Sequence, residues 1–422
     1  MSSSVDRTGR NWKIVRLADC VRIRYGLGQP PKAKDGGIPM VRATDIKHGH
    51  VVGDRIVQVD PRAVPHTRDA FLVDGDVIVV RSGAYTGDVG LYEGQWDQAI
   101  AGYDLVVSPA NDRLYGPYLA AYLRSNNVQA YFRSQRDRSA QPHLNADQLA
   151  RVVVPIPPIE EQHAIVRLLS AVESAVDSRR REMALEHEQR LALLQELFAH
   201  GTRRRSLRDT SLGSRPEDWG VSTLGETALF FQYGTSENCS ADPSGLPVLR
   251  IPNVIGGRVD SADLKYLRAK TTTKQSLSLA RGDILFVRTN GQRKYIGRSA
   301  VYEGQPPDAI FASYLIRTRL KPDVLLPQFF QAFSESQAAR LQLISRASGA
   351  ADGKFNINTQ TLRTLEVPIT SVDEQREIVA VLSACDAKIA ALDREISMHE
   401  ELFRAFLEEL ISGRLGTEPL IA

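Results

Sequence analysis

Cysteine is scarce in this chain. Cys20, Cys239 and Cys385 are the only three among 422 residues, too few and too scattered for a disulfide framework or a cysteine-based metal site. Long apolar runs are missing as well. No stretch approaches 18 uninterrupted apolar residues, so a membrane-spanning helix is not expected. The opening segment MSSSVDRTGRNWK has no apolar core of the kind that directs secretion, and a cytoplasmic location is the expectation. Nor is there a large excess of one charge. The net charge is +3, far from the strongly basic signature of a small DNA-binding domain. Basic residues are clustered all the same, in 178-SRRR-181, 203-RRRSLR-208, 131-YFRSQRDR-138 and 293-RK-294. A run of this kind is commonly a solvated face.

The motifs of self-contained catalysis are also absent. There is no G-x-x-x-x-G-K-[ST] phosphate loop, no G-x-G-x-x-G opening a helix, no H-E-x-x-H or paired C-x-x-C, and no G-x-S-x-G. The eight histidines do not cluster at ligand spacing, so no metal site is expected. The acidic pairs Glu160-Glu161 and Asp373-Glu374 open helical patterns, where carboxylates face the helix dipole favourably. They need no acid–base role. A chain without nucleophile, metal cluster or phosphate loop reads as a binder, not an enzyme.

What is present, above all, is a repeat. At 422 residues the chain should fold as two to four domains, and the second half restates the first. Trp12 and Trp219 each stand five residues before a leucine, Leu17 and Leu224. The segment 38-IPMVRATDI-46 answers to 246-LPVLRIPNV-254, 75-GDVIVVRSG-83 to 282-GDILFVRTN-290, and Tyr92-Glu93-Gly94 to Tyr302-Glu303-Gly304. Later, 143-HLNADQL-149 answers to 356-NINTQTL-362 and 153-VVPIPPIEEQHAIV-166 to 366-EVPITSVDEQREIV-379. The offset drifts from 207 to 213 residues, as loop insertions between fixed elements would produce. The period is too long for a solenoid, so it marks a duplicated domain with an internal pseudo-twofold.

Two regimes alternate within each repeat. Short apolar runs bounded by Gly, Pro and Asp (71–80, 99–107, 284–287, 310–316) predict strands. Helical patterns follow at 116–132 and 327–344, making each recognition unit α+β. After the prolines Pro155, Pro157 and Pro158, and after Pro368 in the second copy, about 40 residues run without proline or glycine. In the second run Ile378, Leu382, Cys385, Ile389, Leu392, Ile396, Phe403, Phe406 and Leu410 follow the 4-and-3 spacing of a coiled-coil seam, with His399 as its polar member. The first run matches with Ile165, Leu169, Val172, Val176, Met183, Leu194 and Phe198, and with Arg179 and Glu186 wetting its middle. Gly201 and Gly413 are placed to cap the two helices. Each helix would be roughly 60 Å long at ~1.5 Å per residue. Neither is stable alone, so the two are expected to pair with each other. The expected boundaries are 1–154 and 203–367 for the recognition domains, 155–202 and 368–415 for the long helices, and 416–422 for a tail.

A doubled V-P-[IL]-P-x-x-E-Q-x-x-I-V junction before a 40-residue helix, each behind a variable α+β region, resembles the specificity subunit of Type I restriction-modification systems. The resemblance covers about residues 12 to 415. The first junction reads Pro155, Pro157, Glu161, Gln162 and Ile165. The second reads Pro368, Glu374, Gln375 and Ile378 with Thr370 in place of the second proline, a departure expected to loosen that turn. The resemblance implies two target recognition domains separated by two long antiparallel helices in a coiled coil. Each domain would read part of a bipartite double-stranded DNA site. Two modification (methyltransferase) subunits would dock near the helices and junctions, placing Glu161, Gln162, Glu374 and Gln375 at partner contacts. Restriction (motor and nuclease) subunits would join that core. S-adenosylmethionine, ATP and Mg would sit on these partners, with no cofactor on this chain.

Base edges are read by Arg and Lys at guanine, Asn and Gln at adenine, and Ser or Thr at either. Polar loops at matched places supply the DNA-binding candidates. In the first domain they are Arg42, Thr44, Lys47, Arg81, Ser82, Tyr85, Thr86, Arg136, Arg138, Gln141 and His143. In the second they are Arg250, Asn253, Arg288, Asn290, Gln292, Arg293, Lys294, Arg346, Lys354 and Asn356. Arg81 and Arg288, each ending an apolar strand beside a polar loop, lead the set, although either could be a structural strand-end arginine. Tyr25, Tyr85 and Tyr295 could stack on DNA or cap a small core. The loops differ between domains (KHGHVVGDR against IGGRVDSAD), so the two half-sites should differ and the whole site should be non-palindromic. Two readings compete: an adaptor that bridges partners through its helices without reading sequence, and a self-contained DNA-modifying enzyme, which the missing cofactor loop disfavours.

Overall fold

The computed structural model describes residues 12–29, 31–65, 69–136, 143–203, 205–268, 271–349 and 353–417, with backbone alone at 136 and 271–273. The chain divides into two compact units, one of Met1–Arg181 with Arg394–Ala422 and the other of Glu182–Asp393. The division falls inside the two long helices, so neither unit is one contiguous stretch joined to one whole helix.

The first unit carries a six-stranded sheet in the order Val21–Tyr25, Leu105–Pro109, Val77–Val79, Val89–Leu91, His50–Val51, Ile46–Lys47. The second repeats that order with Ala228–Tyr233, Leu315–Leu320, Ile284–Val287, Ser299–Val301, Gly257–Val259 and Val254–Ile255. Within each sheet one pair is parallel, His50 beside Leu91 and Gly257–Arg258 beside Ala300–Val301. A three-stranded sheet accompanies each, centred on Ala33–Val41 and on Leu246–Leu249.

The repeated Gly-Asp pair explains the central strand. Gly75 and Gly282 take φ of +84° and +90°, where a side chain would be strained. The fully buried Asp76 and Asp283 then close the turn by accepting from the amides of Val73 (2.9 Å) and Ala280 (2.8 Å). Buried carboxylates need compensating charge, and Arg24 supplies it at 2.6 Å and Arg319 at 2.7 Å. The apolar strands that follow, 77–80 and 284–287, are buried along their length.

The helical patterns at 116–132 and 327–344 are each broken in two, Gly116–Leu123 then Asn126–Arg136, and Pro327–Glu335 then Gln337–Ser345. Ser336 makes the second break. Its backbone is extended and its hydroxyl accepts from the Ala339 amide, so it caps a new helix instead of continuing the old one.

The long helices run from Ile159 to His200 and from Val372 to Ile411, and Gly201 and Gly413 terminate them at φ +71° and +69°. In the first unit Ile165 and Leu169, from the start of one helix, share a core with Leu407, Leu410 and Ile411 from the end of the other. Thr417 lies on Glu161 while Glu395 and Glu400 pair with Arg179 (2.9 Å) and Arg180 (2.6 Å), so the segments run antiparallel there. In the second unit Leu194, Leu197 and Phe198 join Ile378 and Leu382 in a second core. Thr202 there meets Glu374 and Arg190 meets Asp386, again antiparallel. The expected mutual pairing therefore holds inside each unit. Of the two polar positions in the seam of the first helix, Glu186 is 8% exposed and pairs with Lys388.

Candidate nucleic-acid interface

The two junctions are built first from their glutamines. Gln162 is fully buried. Its amide nitrogen donates to the carbonyls of Arg113 (2.8 Å) and Pro157 (2.9 Å), and its oxygen accepts from the Tyr115 amide (2.8 Å). Gln375 repeats all three bonds, to Val324 (2.8 Å), Thr370 (2.9 Å) and Leu326 (2.8 Å). Beside them Glu161 accepts from the Trp12 indole at 2.9 Å, and Glu374 from the Trp219 indole at 3.1 Å and from Arg205 at 2.8 Å. These four side chains are corrected from partner contacts to an internal lock, because they lie buried with their polar atoms turned to this chain. Thr370 corrects a second expectation. Its hydroxyl donates to Glu374 at 2.6 Å, so the position without proline is tied down, not loosened. Burial works against ionisation of Glu374, but the bonds from Thr370 and Arg205 outweigh it and hold its carboxyl below the usual range.

Several reading candidates are committed to the fold. Arg42 grips Asp45 with Nε and Nη2, both at 2.9 Å. Arg250, its counterpart, binds Asp263 at 2.8 Å. Asn253 is 1% exposed, with its amide nitrogen donating to the carbonyls of Asp260 and Asp263 and its oxygen accepting from Arg250. It is corrected from base reader to loop brace. Arg293 donates to the carbonyls of Ile344, Ser345 and Ala347 at the end of a helix, and Arg346 to that of Thr364 at 2.7 Å. These guanidinium groups serve as caps. Lys47 is exposed and pairs loosely with Asp54 at 3.6 Å. Thr44, Tyr85, Gln292, Lys294 and Lys354 are exposed, and Ser82, Asn290 and Asn356 are half-buried. Arg138 and Gln141 lie outside the described residues, and Arg136 ends its helix with its side chain undescribed.

Arg81 and Arg288 stand at matched places, each over a tyrosine that the other unit repeats. The Arg81 guanidinium lies over the Tyr103 ring at 4.2 Å and the Tyr25 ring at 4.9 Å. Its Nη2 meets His143 Nε2 at 3.2 Å. Burial first, and then the Arg81 charge, hold His143 below the ordinary histidine range. The neutral ring thus accepts from the arginine. In the second unit Arg288 lies over Tyr233 at 4.7 Å, and its Nη1 donates to the Ser313 carbonyl at 3.3 Å. The surroundings match as well. The hydroxyls of Tyr25 and Tyr233 accept from the amides of Ala146 (3.1 Å) and Thr359 (3.2 Å). His143 bridges Ser82 and Asn356 pairs with Thr289, so the same two chain segments meet in each unit. Sequence reasoning missed Tyr103 and Tyr233. The signal was there in the matched tyrosines Tyr25 and Tyr233, but only the fold shows that these rings, and that of Tyr103, reach the arginine.

Among the described residues no group of three or more His, Cys, Asp or Glu could hold a metal ion, and no helix is long and apolar enough to cross a membrane. Cys20 is buried, and burial pushes its thiol up to about 11, which leaves it unreactive as a nucleophile.

A family model described as the Type I restriction modification DNA specificity domain matches residues 9–186 and again residues 216–397. The chain belongs to that family. The type I restriction enzyme MjaVIII specificity subunit of Methanocaldococcus jannaschii is 21% identical over 430 residues, covering 98% of this chain and 95% of that one. The EcoKI specificity subunit of Escherichia coli strain K12 is 23% identical over 370 residues, covering 86% and 78%. A solved chain from work on complex assembly and conformational transition of the type I R-M system superposes with a TM-score of 0.58 at 19% identity, covering 96% of this chain and 98% of the other. That likeness is one of fold.

Proposed function

We propose that this chain is the sequence-reading subunit of a Type I restriction-modification assembly. It binds a bipartite, non-palindromic site in double-stranded DNA and directs modification and restriction subunits to it. The observation that carries this reading is the doubled family match on two units with one sheet order and different loops. One unit reads each half-site. The chain itself performs no chemistry. S-adenosylmethionine belongs to the modification subunits, ATP and Mg to the restriction subunits, and the assembly works in the cytoplasm.

The test compares the purified chain with the chain assembled with its modification subunit. Alone it transfers no methyl groups. Assembled, it protects a bipartite site, and binding weakens steeply with salt, by a slope of about −0.9 per phosphate contact. Methyl transfer by the isolated chain would overturn the reading. A sequence-blind footprint from the assembly would favour an adaptor instead.

A further inference from the structure

We propose that Arg81 and Arg288 are the guanine-reading side chains of the two half-sites, each held by tyrosine for an end-on approach to the base. This assignment rests on the proposed function and adds the residue and the base it selects.

Arg24, Arg42, Arg190, Arg205, Arg250 and Arg319 all pair with carboxylates. Among the described residues neither Arg81 nor Arg288 forms an ion pair. The Asp104 carboxylate beside Arg81 accepts from its backbone amide, at 3.1 Å. The Arg81 charge acts on the Asp104 carboxylate without touching it, so at matched places two guanidinium groups lie over aromatic faces with no direct ion pair. A guanidinium over a ring keeps its charge and its in-plane donors while losing rotational freedom.

In both arginines Nε is buried without a hydrogen-bond partner, so the side-on approach through Nε is closed. Among the described residues Arg81 Nη1 and Arg288 Nη2 have no protein partner, so the terminal edge is the face left to a ligand. Each terminal nitrogen carries two N–H groups, and Arg81 Nη2 and Arg288 Nη1 spend one each on His143 and the Ser313 carbonyl, so one N–H beside the free nitrogen remains to pair with it on the O6 and N7 acceptors of guanine in the major groove. Tyr103, 43% exposed beside Arg81, and Tyr314, 58% exposed beside the Ser313 carbonyl that holds Arg288, put both places at the surface. The first clamp has two rings and the second has one.

The experiment assembles the full-length chain with its modification subunit and offers a pool of duplexes randomised at each half-site position. Methylated products are then sequenced. The wild type is expected to demand guanine at one position in each half-site. Arg81→Ala should relax that demand by about tenfold or more in the first half-site alone, and Arg288→Ala in the second alone. Arg81→Lys keeps the charge and the stem but not the paired donors, so it should relax the same position. Tyr103→Leu should weaken the preference in part, with the melting midpoint unchanged. Uniform weakening across all sequences, full rescue by lysine, or an untouched base preference would each overturn the assignment. A wild-type assembly with no bipartite preference would overturn the proposed function, and this assignment with it.

Discussion

A buried primary amide carries two donors and two acceptor sites, and leaving its partners unmatched costs about 1–3 kcal/mol per group. Gln162 and Gln375 each satisfy two carbonyls and one amide inside the chain. Gln162→Ala is therefore expected to lower stability by about 2–3 kcal/mol, read as a fall in urea midpoint, with partner affinity changing only as far as folding does. Unchanged stability with weakened docking would restore the partner role first read from the sequence. That role came from the family resemblance, and local pattern does not show that the Glu-Gln pair is buried. The indole that claims Glu161 lies 149 residues away in the chain.

His50 gives a second test on this scale. Its Nδ1 lies 2.9 Å from Glu93 and its Nε2 3.5 Å from Glu173, which also binds Arg124 at 2.7 Å. Chiefly through the bond to Glu173, against the effect of burial, His50 is pushed up to about 9. A raised pKa means stability fully present below the unfolded value of about 6.5 and lost as pH rises through about 9. At pH 7 His50→Gln should lower the melting midpoint by about 2–4 °C, on the order of 1 kcal/mol after solvent screening, and the difference should vanish by about pH 10. A gap that widened with pH would contradict the assignment.

Between elements, the long helices show what a periodic pattern can and cannot tell. Their length, their apolar stripe and the glycine stops at Gly201 and Gly413 were legible, because each follows from local rules of spacing and capping. The breaks before Asn126 and Gln337 were not, since apolar periodicity runs through them and only Ser336, accepting from the Ala339 amide, reveals one. Nor could the stripe say which core each turn enters. Phe198 sits at the end of a helix that starts in the first unit, yet it packs at 5.1 Å from Phe329 and 5.6 Å from Phe333 in the second. Phe198→Ala is expected to cost about 3–5 kcal/mol, seen as an early transition of the second unit in urea. A cost below about 1 kcal/mol would mean that this helix end is dispensable.

Taken as a whole chain, the duplication was the most legible feature, because matched motifs in matched order need no structure to be seen. The composition of the units was hidden. Sequence boundaries at 154 and 367 separate domain from helix, whereas each unit takes the start of one long helix and the end of the other. That exchange depends on contacts across more than 200 residues, such as Thr417 with Glu161, which local patterns do not encode. The candidate interface was legible in part. Arg81 and Arg288 were singled out by position, while nothing in the sequence told that Arg42 and Arg250 would pair with Asp45 and Asp263 or that Asn253 would be buried. The role of this chain is to choose where its assembly methylates DNA. It is tested most directly by sequencing the host methylome with and without the gene. The expected result is one non-palindromic motif, two unlike half-sites at a fixed spacing, that disappears with the gene. A symmetric motif, or methylation unchanged by its loss, would contradict it.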